Sequence, residues 1–551
     1  MAGSLARLFR VTARSSLSFE PASRSWRAVA LVVTIAAALA IAGTYFTFSN
    51  TNDEPAHIAA GVQWLAGTHV YDAEHPPLAR IAAAIGPWVH GDRALGASSS
   101  IDEGIRLLGR GAHYRTTLAL ARLGELPFFV MLCAVAWAWG RRLTDERGGA
   151  IAVILVASNP NVLAHAGLAT TDLALAATMT AALFAFVSWL DAPRWPPSLS
   201  LGVAIGFAIT TDYTALAMLA LAFPAIYFVR RRATEGPLWG DELRRQKWLA
   251  LGITAGFAAL VAWGVYGFRF GRLIDDLPLF APASAWFRGL ATAVTESTNG
   301  HPGYLFGERS MSGWWYYYPI ALLVKTPLSM LLLAILGAAA GVREVVRREV
   351  SDPAALVAGG AALLLAVGIV GDDTGVRLML PIFAIFALLG ARAAVELWDH
   401  SASSVPARRL VRATVVATVG AAMLVPMRAH PDYLAYFNPI AGDRPELVLV
   451  DSNLDWGQDL YRLSAVMKRM RIDSVAVAYY GSANLDAAGV RNARLLAAAE
   501  RPTGWIAASQ TMLAGVGGDG AYEWLNELQP VGRVGSSLML YYVPPPPRQR
   551  R

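Results

Sequence analysis

The chain has 551 residues, of which 55% are hydrophobic and 16% charged, and its mean hydropathy is +0.41. This composition excludes a soluble globule of that length and indicates a protein that crosses a membrane several times. The formal net charge of +7 does not point to nucleic acid, because the arginines cluster between apolar segments, where they act as orientation signals.

The N-terminal residues 1–27 are basic, and an apolar run from Ala28 to about Phe48 follows them. The run is long enough to span a bilayer, and no cleavage site made of small residues comes after it. The sequence therefore predicts an uncleaved first helix that starts in the cytoplasm. Cys133, the one cysteine, lies in a later apolar stretch, so the chain forms neither a disulfide nor a cysteine metal cluster.

Ten further apolar segments follow the first. They lie at roughly 117–140, 148–166, 170–190, 198–211, 213–229, 248–267, 314–340, 354–370, 376–396 and 410–428. The stretch from 198 to 229 is interpreted as a hairpin of two short helices that turns near Asp212, because arginines flank both of its ends. Eleven helices place the C-terminus outside. The prediction is an α-helical polytopic protein with a transmembrane domain at 28–428.

Three segments lie outside under this topology: about 49–116, 268–313 and 429–551. In the first, Asp53–Leu65 and Leu78–Trp88 have apolar residues at helical spacing but are too short to span, which suits helices lying at the interface. The third, residues 429–551, is predicted to be a small extracytoplasmic α/β domain. Its predicted strands are Glu446–Val450, Ser474–Tyr480, Gly504–Ser509 and Ser537–Val543, with helices near 457–470 and 520–528.

Asp53 and Glu54 stand directly outside the mouth of the first helix, where a lipid-anchored substrate and a soluble one can meet. Carboxylates at the start of a helix also serve as caps and stabilise its free N–H groups, so a structural role competes with catalysis. His75, which precedes Pro76 and Pro77, carries the same ambiguity, since the prolines separate two elements.

Three more polar residues occur at places where a membrane makes them costly. Asp172 opens the fourth helix on the outer side, with a cap as its alternative role. Lys325 lies inside an apolar helix, where an ammonium needs an anion or a cavity. Arg377 stands near the outer end of the tenth helix, where it either binds phosphate or pairs with Asp372 or Asp373.

In order and spacing, these motifs resemble a bacterial glycosyltransferase of family 39. The residues that carry the resemblance are Asp53-Glu54, His75-Pro76-Pro77-Leu78, Pro160-Asn161 to Ala164-His165, Thr171-Asp172, Gly313-Trp314-Trp315-Tyr316, Lys325-Thr326-Pro327, Gly375-Val376-Arg377 and Leu380-Pro381. This group is similar to the dolichyl-phosphate-mannose protein mannosyltransferases and the lipid A aminoarabinose transferases, which share a GT-C membrane fold. The tail, from Pro431 to Asn438 and from Asp451 to Asp459, also resembles that of many bacterial members.

The resemblance implies inverting transfer of a monosaccharide, a hexose with mannose as the candidate, from a polyprenyl-phosphate donor to an acceptor hydroxyl of a protein, lipid or glycan. Asp53 is then the general base, Glu54 orients it or holds the acceptor, and Asp172 is a second acidic group. Arg377 and Lys325 bind the donor phosphate. His75, His165, Trp314 and Trp456 contact the acceptor or support the site. No cofactor is required; a divalent metal is neither demanded nor excluded.

One position departs from the family pattern. Where many relatives carry a lysine, this chain has Asp212 before Tyr213-Thr214-Ala215, which removes one phosphate contact or signals a different donor head group. In the tail, Asp455, Trp456 and Gln458 either bind the acceptor or form a capped turn between a strand and a helix, and the turn is favoured.

A transporter or flippase of lipid-linked saccharides is the alternative function, because Lys325 and Asp172 are also suited to line a substrate path. A transporter should place polar residues near the middle of the membrane in several helices, whereas most candidates here lie at outer helix ends. We expect a multi-pass protein of the bacterial plasma membrane, with the N-terminus in the cytoplasm.

Overall fold

The computed structural model describes residues 21–68, 74–109, 113–234, 238–239, 241–273, 279–349, 351–370, 373–400 and 404–545. The predicted basic terminus up to residue 20 and the last residues of the proline-rich end lie outside these ranges. Helices dominate the membrane part. They are α1 Pro21–Thr44, α2 Glu54–Ala66, α3 Leu78–His90, α4 Ser100–Leu108, α5 Tyr114–Leu123, α6 Leu126–Leu143, α7 Glu146–Ala157, α8 Pro160–Ala166, α9 Asp172–Asp191, α10 Trp195–Thr211, α11 Thr214–Ala233, α12 Asp241–Val265, α13 Ser284–Asn299, α14 Tyr317–Lys325, α15 Leu328–Arg347, α16 Asp352–Val370, α17 Leu380–Asp399 and α18 Val405–Ala429.

The described residues contain nine helices that are long and apolar enough to cross a membrane, or ten crossings if the bent pair α7 and α8 counts as one. The predicted number was eleven. The difference is α10, whose 17 residues lie at the lower limit of about 17 for a spanning helix. The predicted hairpin is confirmed, since α10 ends at Thr211 and α11 begins at Thr214.

Two predicted straight helices are broken instead. The segment from 148 to 166 bends by 67° between α7 and α8, where Asn159 caps the new helix by accepting from the Asn161 N–H at 2.9 Å. The segment from 314 to 340 begins only at Tyr317 and splits into α14 and α15 at Pro327, which has no N–H to donate and clashes with the preceding turn. The two breaks are neighbours, since Asn161 Nδ2 donates to the Lys325 carbonyl at 2.8 Å.

Helices α9 and α17 form the centre of the bundle. Most of their residues are buried, with Leu173 and Phe383 fully enclosed, whereas α1 and α18 are mainly exposed on their outer faces. This gradient is what an apolar bundle in lipid requires, because lipid-facing side chains need no cover. The central position of α9 and α17 fixes the two outer ends that carry Asp172 and Arg377.

The outer segments fold as short elements over the end of the bundle. Helices α2 and α3 match the two predicted interfacial helices closely, and α4 was not predicted. The second segment forms two antiparallel pairs around α13: β1 Phe270–Arg272 with β2 Phe280–Pro282, and β3 Gly303–Leu305 with β4 Glu308–Ser310. Its helix α13 forms part of the wall of the candidate site.

The tail folds around a mixed sheet in the order β6-β5-β7-β9-β8. Its strands are β5 Val475–Ala478, β6 Ala493–Leu495, β7 Gly504–Ser509, β8 Gly532–Val534 and β9 Leu538–Val543, and α19 Leu460–Met470 and the short α20 Gln510–Leu513 accompany them. The predicted strand at Glu446–Val450 is wrong: Pro445–Leu447 is a 3-10 turn, consistent with a proline that cannot donate to a ladder. The short edge strands β6 and β8 were not predicted.

The tail packs directly on the first outer segment. Ile58 of α2 and Leu118 of α5 share one buried core with Leu460 of α19 and Val477 of β5. Apolar burial of this kind contributes roughly 1.5–3 kcal/mol for each fully buried large side chain. The tail is therefore held against the helix that begins beside Asp53.

Candidate active site

Asp53 immediately precedes α2, yet its carboxylate caps none of that helix's N–H groups. It accepts instead from the side-chain amide of Asn52 at 3.1 Å and from Nη1 of Arg377 at 3.1 Å. Its side chain is 28% exposed. Of the two roles weighed from the sequence, the geometry thus gives no support to capping and leaves the carboxylate open to solvent beside a cation.

Glu54 is fully buried and its two oxygens are saturated. Oε1 accepts from Arg122 Nε at 2.8 Å and from the Ala169 N–H at 2.9 Å. Oε2 accepts from Arg122 Nη2 and from the Thr51 N–H, both at 2.8 Å. Glu54 therefore joins α5, the loop before α2 and the loop before α9. It holds Asp53 in place through the backbone, and its predicted contact with the acceptor finds no support in these bonds.

Arg377 connects the two predicted acidic residues. Its Nη1 lies 3.1 Å from Asp53 Oδ2 and 4.0 Å from Asp172 Oδ1, and its guanidinium stands 4.8 Å from the centre of the Trp456 ring. Of the partners predicted for it, Asp373 accepts from the Trp314 backbone N–H at 2.6 Å, and residue 372 lies outside the described ranges. Residues from four distant parts of the sequence thus meet at one guanidinium.

Asp172 is buried at the start of α9. Thr170 Oγ1 donates to its Oδ2 at 2.7 Å, and Nδ1 of His165 lies 3.4 Å from the same oxygen. Thr171, which stands at the N-cap position of α9, makes no side-chain cap and instead donates to Asp212 Oδ2 at 3.2 Å. Asp172 is therefore held from one side by His165 and Thr170 and faces Arg377 on the other.

Asp212, the departure from the family pattern, performs the cap that the α10–α11 hairpin needs. Its Oδ1 accepts from both the N–H and the hydroxyl of Thr214 at 2.9 Å. A lysine at this position has no acceptor to offer. The reversed charge therefore has a structural reason in addition to any effect on the donor.

A cavity of about 160 Å³ opens beside these groups. Its lining residues are Glu74, His75, Thr171, Asp172, Asp212, Tyr213, Thr214, Ala293, Glu296, Gly300, His301, Arg377 and Leu378. His75 thus faces the cavity, and its ring lies 5.2 Å from that of His57. The cavity joins the membrane helices to α13, which is where a lipid-linked group and a soluble one can both arrive.

Lys325 lies behind this group rather than in the open cavity. Its ammonium is buried, donates to the carbonyls of Leu434 at 2.8 Å and Asn453 at 2.6 Å, and stands 4.4 Å from the Phe437 ring. Asn453 in turn accepts from the Val376 N–H at 3.0 Å. These bonds support Arg377 from behind, whereas direct contact of Lys325 with a donor phosphate stays a prediction.

The two predicted tryptophans differ in position. Trp456 is 1% exposed and forms the surface against which Arg377 and His165 pack. Trp314 is half-buried and touches the site through its backbone bond to Asp373. Both therefore lie at the site, and the buried ring of Trp456 is covered by Arg377 and His165.

Sequence reasoning missed two parts of the site. Arg122, the partner of Glu54, lies within a predicted membrane segment, and a charge in such a segment is itself a signal that was available. Tyr480 of the tail also interacts with the Asp53–Arg377 pair, and no local motif marks it, whereas its partner Asp451 opens the tail motif that runs to Asp459. Within the ranges described, no three His, Cys, Asp or Glu side chains are grouped to hold a metal ion.

The chain is similar to known proteins both in sequence and in fold. Residues 117–263 match the sequence model of the dolichyl-phosphate-mannose-protein mannosyltransferase family, a stretch that includes Asp172 and Asp212. Among curated proteins, none matches by sequence. The structure of ArnT from Cupriavidus metallidurans in the apo state aligns with a TM-score of 0.50 and 13% identity, covering 94% of this chain and 98% of that one. The fold is that of a GT-C glycosyltransferase.

A second structure of the same protein, bound to undecaprenyl phosphate, aligns with a TM-score of 0.49 and 12% identity over 94% of this chain and 97% of that one. The resemblance predicted from the motifs is confirmed by the family match and by the GT-C fold. The family match leaves the roles of Asp53, Lys325 and Arg377 to the site geometry, because the matched stretch begins after Asp53 and ends before the other two.

Proposed function

We propose that this protein is a membrane glycosyltransferase that moves a monosaccharide from a polyprenyl-phosphate donor to a hydroxyl on the outer face of the membrane. The GT-C fold and the family match support the reaction class. The observation that carries the proposal is the placement of Arg377 between Asp53 and Asp172 at the outer end of the bundle. That arrangement puts a base beside a cation at the water boundary.

Asp53 acts as the general base. A hydroxyl is a poor nucleophile, so a carboxylate must take its proton as the oxygen attacks C1 of the sugar. The bond from C1 to the phosphate oxygen breaks on the opposite side, and the anomeric configuration inverts. The partial exposure of Asp53 lets an acceptor reach it, whereas the burial of Glu54 excludes the neighbouring carboxylate from this step.

Arg377 stabilises the leaving phosphate, whose negative charge increases as the C1 bond breaks. Without donor, its guanidinium is shared between the Asp53 and Asp172 carboxylates. A donor phosphate competes for the same N–H groups and weakens the bond to Asp53. Donor binding thereby frees the Asp53 carboxylate to accept a hydrogen bond from the acceptor hydroxyl.

The proposal also covers the sugar, the handling of the phosphate and the location of the protein. The sugar is a hexose, with mannose as the candidate, since the matched family is named for dolichyl-phosphate-mannose. Arg377, with Asp172 and His165 beside it, handles the single phosphate without a resident metal. The protein resides in the bacterial plasma membrane with its tail outside.

Mass spectrometry of envelope glycoconjugates tests the proposal in the cell. A strain that lacks the gene should lose one glycan modification, and the wild-type gene should restore it while the Asp53→Asn form should not. Restoration by Asp53→Asn at equal expression would contradict a catalytic role for this site.

A further inference from the structure

The tail is bonded to the backbone that carries Asp53. The N–H of Asn52 donates to the Trp456 carbonyl at 3.0 Å, and Ser482 Oγ donates to the Asn52 carbonyl at 2.6 Å. The Ser49 N–H donates to the Gln458 carbonyl at 3.0 Å. The four residues before Asp53 are therefore fixed by the tail as much as by the membrane helices.

The tail also holds the loop that carries Arg377. Ser452 Oγ donates to the Thr374 carbonyl at 2.8 Å, and Asn453 accepts from the Val376 N–H at 3.0 Å. Between these bonds lies Gly375, where a Cβ atom would come 2.0 Å from Ser452 Oγ. Only glycine allows this approach. One short tail segment thus positions both members of the Asp53–Arg377 pair.

Two polar tail residues stand beside that pair. Asp451 is buried in a left-handed conformation with φ of 56°, which Asp tolerates better than most residues but which still costs energy. Its Oδ2 accepts from the Tyr480 hydroxyl at 3.4 Å, a long bond that leaves the hydroxyl weakly held. The Tyr480 N–H donates to Ser509 Oγ at 3.0 Å, which holds the backbone of this residue.

Charged groups of the tail and of the site act on the Tyr480 hydroxyl. The Asp451 carboxylate, burial and the Asp53 carboxylate raise its pKa, while the Arg377 guanidinium opposes them. The hydroxyl therefore keeps its proton and remains a donor. Tyr480 as a whole is half-buried.

Arg377 divides the surroundings of the site in two. On one side lies the cavity lined by Asp172, Asp212 and α13, which joins the membrane helices. On the other side lie Asp53, Trp456 and the tail residues. A lipid phosphate that binds Arg377 from the membrane side leaves the tail side for the hydroxyl that attacks.

We propose that the tail completes the acceptor site, with the Tyr480 hydroxyl, oriented by Asp451, binding an acceptor oxygen next to Asp53. The acceptor is a polyhydroxyl or hydroxyl-bearing group whose second oxygen accepts from Tyr480 while the reacting one donates to Asp53. This inference rests on the proposed function and assigns the tail a part in it. Tyr480 is then a specificity-determining residue and Asp451 a positioning residue.

The test separates transfer from donor cleavage. Purified protein is given tritiated undecaprenyl-phosphate hexoses and membranes of the deletion strain, which contain the unmodified acceptor. Label transferred to the membranes and free sugar released by water are measured together. Tyr480→Phe should lower the ratio of transfer to hydrolysis about tenfold, the effect of losing one hydrogen bond of about 1.4 kcal/mol, while the affinity for undecaprenyl phosphate stays unchanged. Asp451→Asn, which keeps an acceptor for the Ser452 N–H, should lower the ratio less.

Tyr542→Phe is the matched control, because it makes the same change at an exposed tail residue. An unchanged ratio in Tyr480→Phe, or an equal fall in transfer and hydrolysis, would overturn the inference alone. Absence of any donor-dependent transfer or hydrolysis by the wild-type protein would instead remove the proposed function, and this inference with it.

Discussion

Two roles, helix capping and catalysis, compete for Asp53. Its position before α2 is that of a helix cap, but its oxygens bond to Asn52 and Arg377 and not to the helix. A carboxylate that leaves its own helix uncapped gives up about 1 kcal/mol of local stability. Such a loss is typical of a residue kept for function, and the cation at 3.1 Å supplies the context for that function.

Replacement of Arg377 should change the affinity for the donor lipid. Arg377→Ala should weaken binding of undecaprenyl phosphate roughly ten- to hundredfold, because a charge-assisted hydrogen bond contributes about 1.5–3 kcal/mol. Arg377→Lys, which keeps the charge but loses the planar fork, should show a smaller loss. Titration of the purified protein with the lipid measures both. Equal affinity in all three proteins would show that the phosphate binds elsewhere.

The negative charge of Asp212 can be removed while its hydrogen bond to Thr214 is kept. Asp212→Asn keeps an oxygen that accepts from Thr214, so thermal stability in detergent should be unchanged. Removing a negative charge from the cavity wall should raise the affinity for undecaprenyl phosphate several-fold. Asp212→Ala removes the cap as well and should lower stability by about 1 kcal/mol. A fall in affinity for Asp212→Asn would indicate that this carboxylate contacts the donor favourably.

At the scale of elements, the buried pair of Glu54 and Arg122 joins α2, α5 and the loop before α9. Both side chains are almost completely buried, so removing one charge leaves the other without compensation. The Glu54 carboxylate holds the start of α2 beside the start of α9, so Asp53 and Asp172 lie at the same end of the bundle. The site is therefore built on a buried ion pair.

Replacement of Glu54 tests this structural role. Glu54→Gln should destabilise the protein by about 3–5 kcal/mol, seen as a lower melting temperature in detergent. Glu500→Gln, which breaks the exposed pair with Arg494 in the tail, should cost less than about 1 kcal/mol. If Glu54→Gln kept its melting temperature and lost only transfer activity, Glu54 would hold the acceptor, as the resemblance implied.

At the scale of the whole molecule, the tail and the bundle meet around buried acidic residues of the segment from Asp451 to Asp459. Burial raises the pKa of Asp455 to about 6, against the hydrogen bonds from Thr511 and Gly457 that lower it. Between about pH 4 and 6, the folded state then holds a proton that the unfolded chain has released. The free energy of unfolding must therefore fall as the pH rises through this window.

The expected size of this fall is at most about 3 kcal/mol, from a shift of about two pKa units. Hydrogen exchange of the tail amides measured between pH 4 and 7, corrected for intrinsic rates, reports it. Asp455→Asn should flatten the dependence. Protection that rises with pH across the window, or an unchanged slope in the variant, would contradict this account of Asp455.

Much of this architecture was predictable because hydropathy and arginine clusters act over whole segments. The hairpin at Asp212 and the short helices α2 and α3 follow from these signals. The bends at Asn159 and Pro327 did not, since an apolar run conceals a break unless a proline or a cap is given enough weight. The strand predicted at Glu446–Val450 failed for the same reason, because Pro445 favours a turn.

The candidate site was predictable only in part. Asp53, Asp172 and Arg377 are charged residues at the ends of apolar segments, where charge is costly. The structure brings all three together. The roles of Lys325 and Glu54 depend on partners such as Asn453 and Arg122. These partners are distant in the sequence, so no local spacing predicts the contacts. Tyr480 joins the group only because β5 ends against Gly457, a contact between residues far apart in sequence.

The most direct test of the account is transfer of a labelled hexose from undecaprenyl phosphate by purified protein carrying Asp53→Asn. The account predicts a fall in rate of about 10²- to 10⁴-fold, the usual contribution of a general base, with undecaprenyl phosphate still bound and the melting temperature unchanged. Asp102→Asn, at an exposed position of α4 in the same segment, should transfer at the wild-type rate. Wild-type transfer by Asp53→Asn would contradict the assignment of Asp53 as the base and the mechanism built on it.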